Sequence, residues 1–218
     1  MTLRRFSVSE RELDVFLAEL PPVCLWLMLW MAGLAMAFVA TMTTLALIAV
    51  VATPAYASKV PLGENVLAPM ANTVFCLKYK DDCKSSVENT VSFSKVESTL
   101  NAVNVEVNRE ILFDPSTTST TSAIVEKWHV WPQAGQCHDY AVTKRHELLK
   151  LGLPAGALRL AEVAIPTGEH HLVLVVETKE EDLVLDNLRP VITPWENLPY
   201  HWIRIQSSAN PNFWLAIK

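Results

Sequence analysis

One long stretch of the sequence has no charged residue, although charged residues make up 19% of the whole chain. The stretch covers residues 23–52 and exceeds the about 20 apolar residues that cross a bilayer. Arg4 and Arg5 precede it, and the sequence AYA at 55–57 follows as a small-x-small site typical of signal-peptidase cleavage. This pattern excludes a soluble core helix and predicts export. Residues 1–57 are then a cleaved signal peptide or, because the run is unusually long, a retained membrane anchor.

Basic residues are also in the minority. The chain has 18 Lys and Arg against 23 Asp and Glu, a formal net charge of −5, and the acidic excess persists after residue 57. Proteins that bind nucleic acids neutralise phosphates with Lys and Arg, so this balance excludes nucleic acid as a partner. Residues 58–218 are long enough to bury a core as a single domain.

Cysteine is scarce, with four in the chain and three after residue 57. Cys76 and Cys83 are seven positions apart with turn-forming Asp81 and Asp82 between them, which favours a disulfide in an exported protein. A metal-binding pair is the alternative interpretation of these two. Cys137 has no partner left, and an odd thiol in an exported protein is either an intermolecular partner or a reactive group.

The pattern of apolar residues predicts two main helices. Apolar side chains recur at three- and four-residue steps from Phe93 to Ile111, which indicates a helix with one buried stripe. A second helix is expected from about Cys137 to Leu151, because Gly152 and then a proline follow it. Residues 58–75 are expected to be an irregular lead-in, and residues 116–122 a polar loop.

After the second helix the pattern changes to short segments rich in Val, Ile, Leu and aromatic residues, which indicates strands. These segments are LRLAEVAI, HLVLVVE, LVLDN, HWIRIQ and FWLAI. Residues 172–176 are apolar at every position, so this strand is expected in the centre of the sheet with both faces covered. Helices followed by an antiparallel sheet predict an α+β fold.

Three residues of this layout could form a reactive centre. Cys137 starts a helix, where the helix dipole and unpaired amides favour a thiolate and can stabilise an oxyanion. The segment from His171 through a charged loop to the strand at Leu183 predicts a hairpin that brings Asp186 near His171. Nucleophile, base and orienting carboxylate are the parts of a catalytic triad. Taken singly, each residue also has an ordinary interpretation as a structural thiol, a solvated histidine or a turn former.

The ordered set GQCHDYA, LLKLGLP, LRLAEV, HLVLVV and LVLDNL resembles the bacterial transglutaminase-like cysteine peptidases, whose best-known members are periplasmic proteases that release biofilm adhesins. VNVEVN at 103–108, WP at 131–132 and the early cysteine pair fit the same pattern, so the resemblance spans about residues 70–217. It implies a papain-like or transglutaminase-like fold in residues 58–218, with N-terminal helices packed on an antiparallel sheet.

The resemblance also implies site residues. Cys137 corresponds to the nucleophile, His171 to the general base and acid, and Asp186 to the orienting residue. His171 is preferred over His170 because the family's histidine directly precedes the apolar strand. Asp139 matches a supporting aspartate, and we expect it to accept hydrogen bonds from amides of the first helical turn.

Metal binding stays open at this stage. In the family, acidic residues beside the cysteine help to bind calcium, but here Gln136 and His138 replace them, and calcium prefers charged oxygen ligands. No cofactor is therefore required, although a weak calcium site near Gln136, His138 and Asp139 is an alternative. A zinc site is a second alternative, formed by Cys137, His138, His170 and His171.

The sequence thus predicts a periplasmic cysteine peptidase that cleaves a protein through an acyl-enzyme. A transglutaminase-type acyl transferase and a catalytically silent binding module on the same fold are the alternatives. The resemblance implies a large surface adhesin as substrate, a role in biofilm control and an inner-membrane cyclic-di-GMP receptor as partner. Trp131 and Gln133 are candidates for a second oxyanion donor, and Trp128 and Trp131 are expected in the core or in a cleft wall.

Overall fold

The computed structural model describes residues 58–114 and 127–218, together with Trp26, Trp30 and Met31. Apart from those three residues, the predicted signal peptide or anchor at 1–57 lies outside the described residues, and so does the polar loop predicted at 116–122. Within the part of the chain that is described, no helix has the length and apolar character needed to cross a membrane.

The described residues form helices and strands close to the predicted positions. The α-helices are α1 (Met70–Lys78), α2 (Phe93–Glu110) and α3 (Cys137–Lys150). The strands are β1 (Leu62–Val66), β2 (Leu112–Phe113), β3 (Ala134–Gly135), β4 (Leu158–Ala164), β5 (His170–Glu177), β6 (Asp182–Leu185), β7 (Thr193–Pro194), β8 (His201–Gln206) and β9 (Trp214–Ile217).

Seven strands form one antiparallel sheet in the order β1-β9-β8-β4-β5-β6-β7, and β2 pairs with β3 in a separate parallel ribbon. Strand β5 lies between β4 and β6, and its residues 171–176 are buried. The prediction of a central strand is therefore correct. The mixture of helices and a large antiparallel sheet confirms the predicted α+β class.

The lead-in is more regular than we predicted. Residues 62–66 form strand β1, which pairs with the last strand through Asn65 opposite Leu215 and Val66 opposite Trp214. Helix α1 follows at Met70. The prediction missed β1 because its partner lies at the far end of the chain and the segment LGENV has little alternation of its own.

The sheet is covered on both faces by apolar side chains. Leu172, Leu174 and Val176 of β5 pack with the helices, while Val173 and Val175 join a second cluster on the other face. This alternation follows from the two-residue period of a strand. Because β5 is buried on both faces, the residues at its N-terminal end have a fixed position relative to α3.

The predicted disulfide is present and connects α1 to the turn that follows it. Cys76 and Cys83 are bonded, with their Cα atoms 5.5 Å apart. Next to the bond, the carboxylate of Asp82 lies 2.9 Å from Nδ1 of His146, and the Asp82 carbonyl accepts a hydrogen bond from Arg145. The disulfide therefore also fixes α1 against α3.

Candidate active site

Helix α3 begins at Cys137 because the residues before it form an N-terminal cap. The carbonyl of Gln136 accepts hydrogen bonds from the amides of Asp139 and Tyr140 at 2.9 and 3.2 Å. A side chain at Gly135 would place its Cβ only 2.5 Å from the Asp139 carboxylate, so this position requires glycine. The sequence GQCHD thus places the thiol at the first residue of the helix.

Asp139 is the supporting residue predicted for the cap. Its two carboxylate oxygens accept hydrogen bonds from the amides of His129 and Gln136 at 2.8 and 2.9 Å. These amides belong to the loop and to the capping residue, not to the first helical turn as we expected. Burial raises the pKa of Asp139, but the contact with His138 and the two amides outweigh it, so the net shift is downward and the carboxylate is ionised.

The predicted hairpin brings His171 and Asp186 into contact. The β5–β6 pairing ends at Leu174 opposite Leu185, so Asp186 comes directly after the last paired residue. His171 donates a hydrogen bond from Nε2 to Oδ1 of Asp186 at 2.8 Å, and both side chains are almost fully buried. The thiol of Cys137 hydrogen-bonds to the same imidazole. Since Nε2 is used by Asp186, Nδ1 is the ring nitrogen that remains for the thiol.

This arrangement favours a thiolate beside an imidazolium. Burial opposes ionisation of Cys137, but hydrogen bonds from His138 and His171, the charge of His171 and the Leu172 amide lower its pKa to about 6. Burial also disfavours a charged His171, yet Asp186 and the thiolate raise the pKa of His171 to about 9. Between these two values both groups are charged.

Sequence reasoning missed the groups that hold Asp186. Tyr200 donates its hydroxyl to Oδ2 at 2.5 Å, and the amide of Leu188 donates to Oδ1 at 2.9 Å. Asn108 of α2 donates to the backbone carbonyl of Asp186 at 3.0 Å. Burial and the bond to Asp186 raise the pKa of Tyr200 to about 12, so the phenol remains a donor. Tyr200 lies outside the β5–β6 hairpin, so counting residues across that hairpin does not bring it to Asp186.

A buried lysine near Asp186 was also missed. Lys144 lies on α3, has no exposed surface, and its Nζ has no hydrogen-bond partner within the described part of the chain. Burial lowers the pKa of Lys144 to about 7, against the opposing attraction of Asp186. Its position seven residues after Cys137 is the only sequence signal, and that spacing also fits an ordinary helix surface.

A cleft opens beside the thiol. Its walls combine apolar side chains, among them Met70, Trp128 and Leu172, with a polar cluster formed by Glu162, His170 and Arg204. Glu162 contacts Nδ1 of His170 at 2.6 Å and accepts a hydrogen bond from Nε of Arg204 at 2.5 Å. His170 therefore pairs with Glu162, whereas His171, the histidine predicted for the site, contacts Asp186.

The two tryptophans before the cysteine have different positions. Trp128 is buried, lines the cleft and stacks on His138 with ring centroids 6.3 Å apart. Trp131 donates its amide to Thr143 at 3.0 Å and its indole N–H to Glu147 at 2.7 Å. Both N–H groups of Trp131 are engaged, so this residue is not free to bind an oxyanion.

The predicted calcium site beside the thiol has few charged oxygens to offer. Asp139 is the one carboxylate of the predicted group, and its oxygens already accept two amide hydrogens and contact His138 at 3.2 Å. Calcium takes six to eight oxygen ligands. Among the residues that the structure describes, no group of three or more His, Cys, Asp or Glu side chains is arranged to hold a metal ion. The calcium and zinc alternatives stay predictions.

Comparisons with known proteins identify a family and similar solved structures. The family model of the bacterial transglutaminase-like cysteine proteinases matches residues 62–218. Among solved structures, calcium-bound LapG of Legionella pneumophila is similar at 26% identity, covering 56% of this chain and 69% of that chain, with a TM-score of 0.46. A second structure of Legionella pneumophila LapG has 25% identity, covers 55% and 67% of the two chains, and has a TM-score of 0.45. No curated protein matches the sequence.

The family match covers most of the chain and includes Cys137, His171 and Asp186. The chain belongs to the bacterial transglutaminase-like cysteine proteinase family and is a cysteine peptidase.

Proposed function

We propose that Cys137, His171 and Asp186 form the catalytic triad of this peptidase and hydrolyse a peptide bond through an acyl-enzyme. The observation that carries the proposal is the buried hydrogen bond between His171 and Asp186, next to a thiol at the N-terminus of α3 whose pKa His171 lowers, all beside a cleft. Asp186 holds the imidazole through Nε2, so Nδ1 faces the thiol and can exchange a proton with it.

In the first half of the reaction the Cys137 thiolate attacks the carbonyl carbon of the scissile bond, and the carbonyl oxygen becomes an oxyanion. The N-terminal amides of α3 have no acceptor within the helix, so they are suited to stabilise this charge. The imidazolium of His171 then gives its proton to the leaving amine. The carbon–nitrogen bond breaks, and a thioester to Cys137 remains.

In the second half, water replaces the amine. Neutral His171 accepts a proton from water at Nδ1, the hydroxide attacks the thioester, and the carbon–sulfur bond breaks. The products are a carboxylic acid and the Cys137 thiolate beside the His171 imidazolium, which is the starting state. An amine in place of water would give acyl transfer, so the triad is compatible with both outcomes.

The proposed substrate is a protein of the cell envelope. A peptidase family implies a protein substrate, and the uncharged stretch at 23–52 supports export to the periplasm. Within this proposal a large surface adhesin is the first candidate, with a role in biofilm control and an inner-membrane cyclic-di-GMP receptor as regulator. The resemblance to the family supports the adhesin substrate, the role in biofilm control and the receptor.

The proposal is tested with a peptide library made by digesting a bacterial proteome. The purified protein is incubated with the library, and new termini are identified by mass spectrometry. We expect a defined set of cleavages that is lost in Cys137→Ala and His171→Ala. Adding a primary amine distinguishes the alternatives, because an acyl transferase would attach the amine to the new C-termini while a hydrolase would leave free acids.

Two controls complete this test. Circular dichroism shows whether the inactive variants are folded, and His170→Ala measures the effect of losing the neighbouring histidine. An absence of cleavage by folded wild type, combined with a Cys137 thiol that titrates near the about 8.5 of free cysteine, would overturn the triad and favour a binding module.

A further inference from the structure

The two asparagines of α2 contact both ends of the loop that carries Asp186. Asn108 donates from Nδ2 to the carbonyl of Asp186 at 3.0 Å, and Asn104 donates from Nδ2 to the carbonyl of Pro190 at 3.1 Å. The donors are four positions apart on the helix, and the acceptors are four positions apart in the loop. Residues at this helical spacing lie on the same face, so α2 presents a pair of donors that matches the loop.

This part of α2 is otherwise apolar on its buried side, where Leu100, Val103 and Val107 contribute to the core. The Oδ1 atoms of Asn104 and Asn108 are buried without a hydrogen-bond partner among the described residues. A buried polar atom without a partner costs free energy that an apolar side chain would avoid. Core packing alone therefore does not account for asparagine at these positions, whereas the two donated hydrogen bonds do.

The loop between the two contacts determines where the Asp186 carboxylate lies. Within it, the amide of Leu188 donates to Oδ1 of Asp186 at 2.9 Å, the same oxygen that faces His171. Arg189 lies over the ring of Tyr200 at 5.9 Å, and the hydroxyl of Tyr200 donates to Oδ2. A shift of the loop would therefore move the carboxylate, its amide donor and its phenol contact together.

We propose that Asn104 and Asn108 are positioning residues that fix the loop at residues 186–190 and thereby hold Asp186 against His171. The inference rests on the proposed role of Asp186 in the triad. The effect of each asparagine on the thiol is indirect. Each acts through the backbone carbonyl that it contacts.

The test measures the rate at which iodoacetamide alkylates Cys137 across pH 4 to 10, which requires no substrate. We expect Asn108→Ala to move the thiolate transition upward by about one pH unit and so to slow alkylation about fivefold at pH 6 and about tenfold at pH 5. Asn104→Ala removes only the contact with the Pro190 carbonyl, so we expect the thiolate transition to move in the same direction by a smaller amount. This variant replaces Asn108→Ala in the test if Asn108→Ala does not fold.

A double variant separates positioning from general destabilisation. If Asn108 acts through Asp186, then Asn108→Ala will change the alkylation profile of wild type but will add nothing in an Asp186→Ala background. Asn72→Ala is the matched control, because Asn72 is a buried asparagine of α1 whose Nδ2 also donates to a loop carbonyl, that of Pro211 at 3.5 Å. It is expected to lower the melting temperature and leave the profile unchanged.

The outcomes distinguish the two proposals. If Asp186→Ala itself has the wild-type profile, the triad assignment fails. If Asp186→Ala changes the profile but both folded asparagine variants retain it, or if Asn108→Ala has an equal effect in the Asp186→Ala background, the triad stands and the positioning role is overturned.

Discussion

The thiol of Cys137 lies between two imidazoles, and each imidazole has its own carboxylate. His171 contacts Asp186, and His138 contacts Asp139. Both imidazoles hydrogen-bond to the sulfur, and these bonds outweigh the burial that would otherwise keep the thiol neutral. The reactivity of Cys137 therefore depends on its hydrogen-bond partners as well as on its place at a helix N-terminus.

A pH profile tests this charge distribution. The pKa of Cys137 is lowered to about 6, so the thiolate forms above that pH, and the pKa of His171 is raised to about 9, so the imidazolium persists up to it. Hydrolysis needs both charged forms. We therefore expect a bell-shaped dependence of peptide cleavage on pH with limbs near these two values, measured on any peptide that the library identifies.

The same charge distribution predicts the effect of removing His171. Without its imidazolium, the Cys137 thiolate loses its main charged partner, so alkylation of His171→Ala by iodoacetamide should follow a transition at higher pH than in wild type. His170→Ala is the control and should keep the wild-type profile, because His170 contacts Glu162. A His171→Ala profile identical to that of wild type would contradict the ion pair.

Calcium removal is predicted to have no effect on the thiol. The Asp139 oxygens are occupied by amide hydrogens, and the neighbouring Gln136 and His138 supply no charged oxygen. We expect EGTA to leave the alkylation rate of Cys137 unchanged. The double variant Gln136→Asp with His138→Glu restores acidic neighbours and should bind calcium more tightly, as measured by calorimetry. Loss of alkylation in EGTA, with recovery on adding calcium, would contradict this prediction. It would show that wild type has enough oxygen ligands to bind calcium near the thiol.

At the scale of elements, α3 combines the reactive thiol with two buried basic side chains. Cys137 is its first residue, while Lys144 and Arg145 are almost completely buried in its middle. Arg145 donates from Nε to the carbonyl of Leu158 at 2.8 Å, but Nζ of Lys144 has no such partner in the described part of the chain. Lys144 is therefore the cation whose burial should cost the most stability.

We expect Lys144→Met to stabilise the fold, most strongly at neutral and low pH. Burial lowers the pKa of Lys144 to about 7, while the unfolded value is about 10.4. Between these values the unfolded state binds the extra proton, so the contribution of Lys144 to stability improves as pH rises and is poorest below pH 7. Removing the charge should raise the free energy of unfolding by about 1–4 kcal/mol at pH 7.

Urea denaturation at several pH values measures this difference. The gain from Lys144→Met should shrink toward pH 10, where the folded lysine is already neutral. Lys150→Met on the same helix is the control, because Lys150 is exposed and pairs with Glu147. A Lys144→Met protein that is less stable than wild type at every pH would show that the ammonium has a stabilising partner.

Elements with local signals were predictable from the sequence, and contacts between distant segments were not. Helix α3 has a cap and a terminal glycine, and the β5–β6 hairpin can be counted across its loop, so the juxtaposition of His171 and Asp186 followed from the sequence. Strand β1 depends on a partner strand at the far end of the described chain, and the Tyr200 contact depends on a residue outside the hairpin. Secondary-structure patterns do not encode such pairings, because only the completed sheet brings these segments together.

At the scale of the whole molecule, the cleft is assembled from segments that span most of the described chain. Met70 is the first residue of α1, Cys137 is the first residue of α3, and Arg204 comes from β8 near the C-terminal end of the described chain. The disulfide at Cys76 and Cys83 fixes the first of these segments close to α3. The geometry of the cleft is therefore coupled to the redox state of this cysteine pair and to the compartment in which the chain folds.

Export directed by residues 1–57 predicts that the Cys76 and Cys83 pair differs in redox state between the full chain and residues 58–218 produced alone. Disulfides persist in oxidising compartments and are rare in the cytosol. If residues 1–57 direct export, Cys76 and Cys83 should be bonded in cells that make the full chain and reduced in cells that make residues 58–218. Lysis in denaturant with iodoacetamide, followed by mass spectrometry of the peptides containing Cys76 and Cys83, measures the reduced fraction. Equal oxidation of the two forms would contradict export by residues 1–57. A bond found only in the full chain would show that the disulfide between Cys76 and Cys83 forms when the chain is exported.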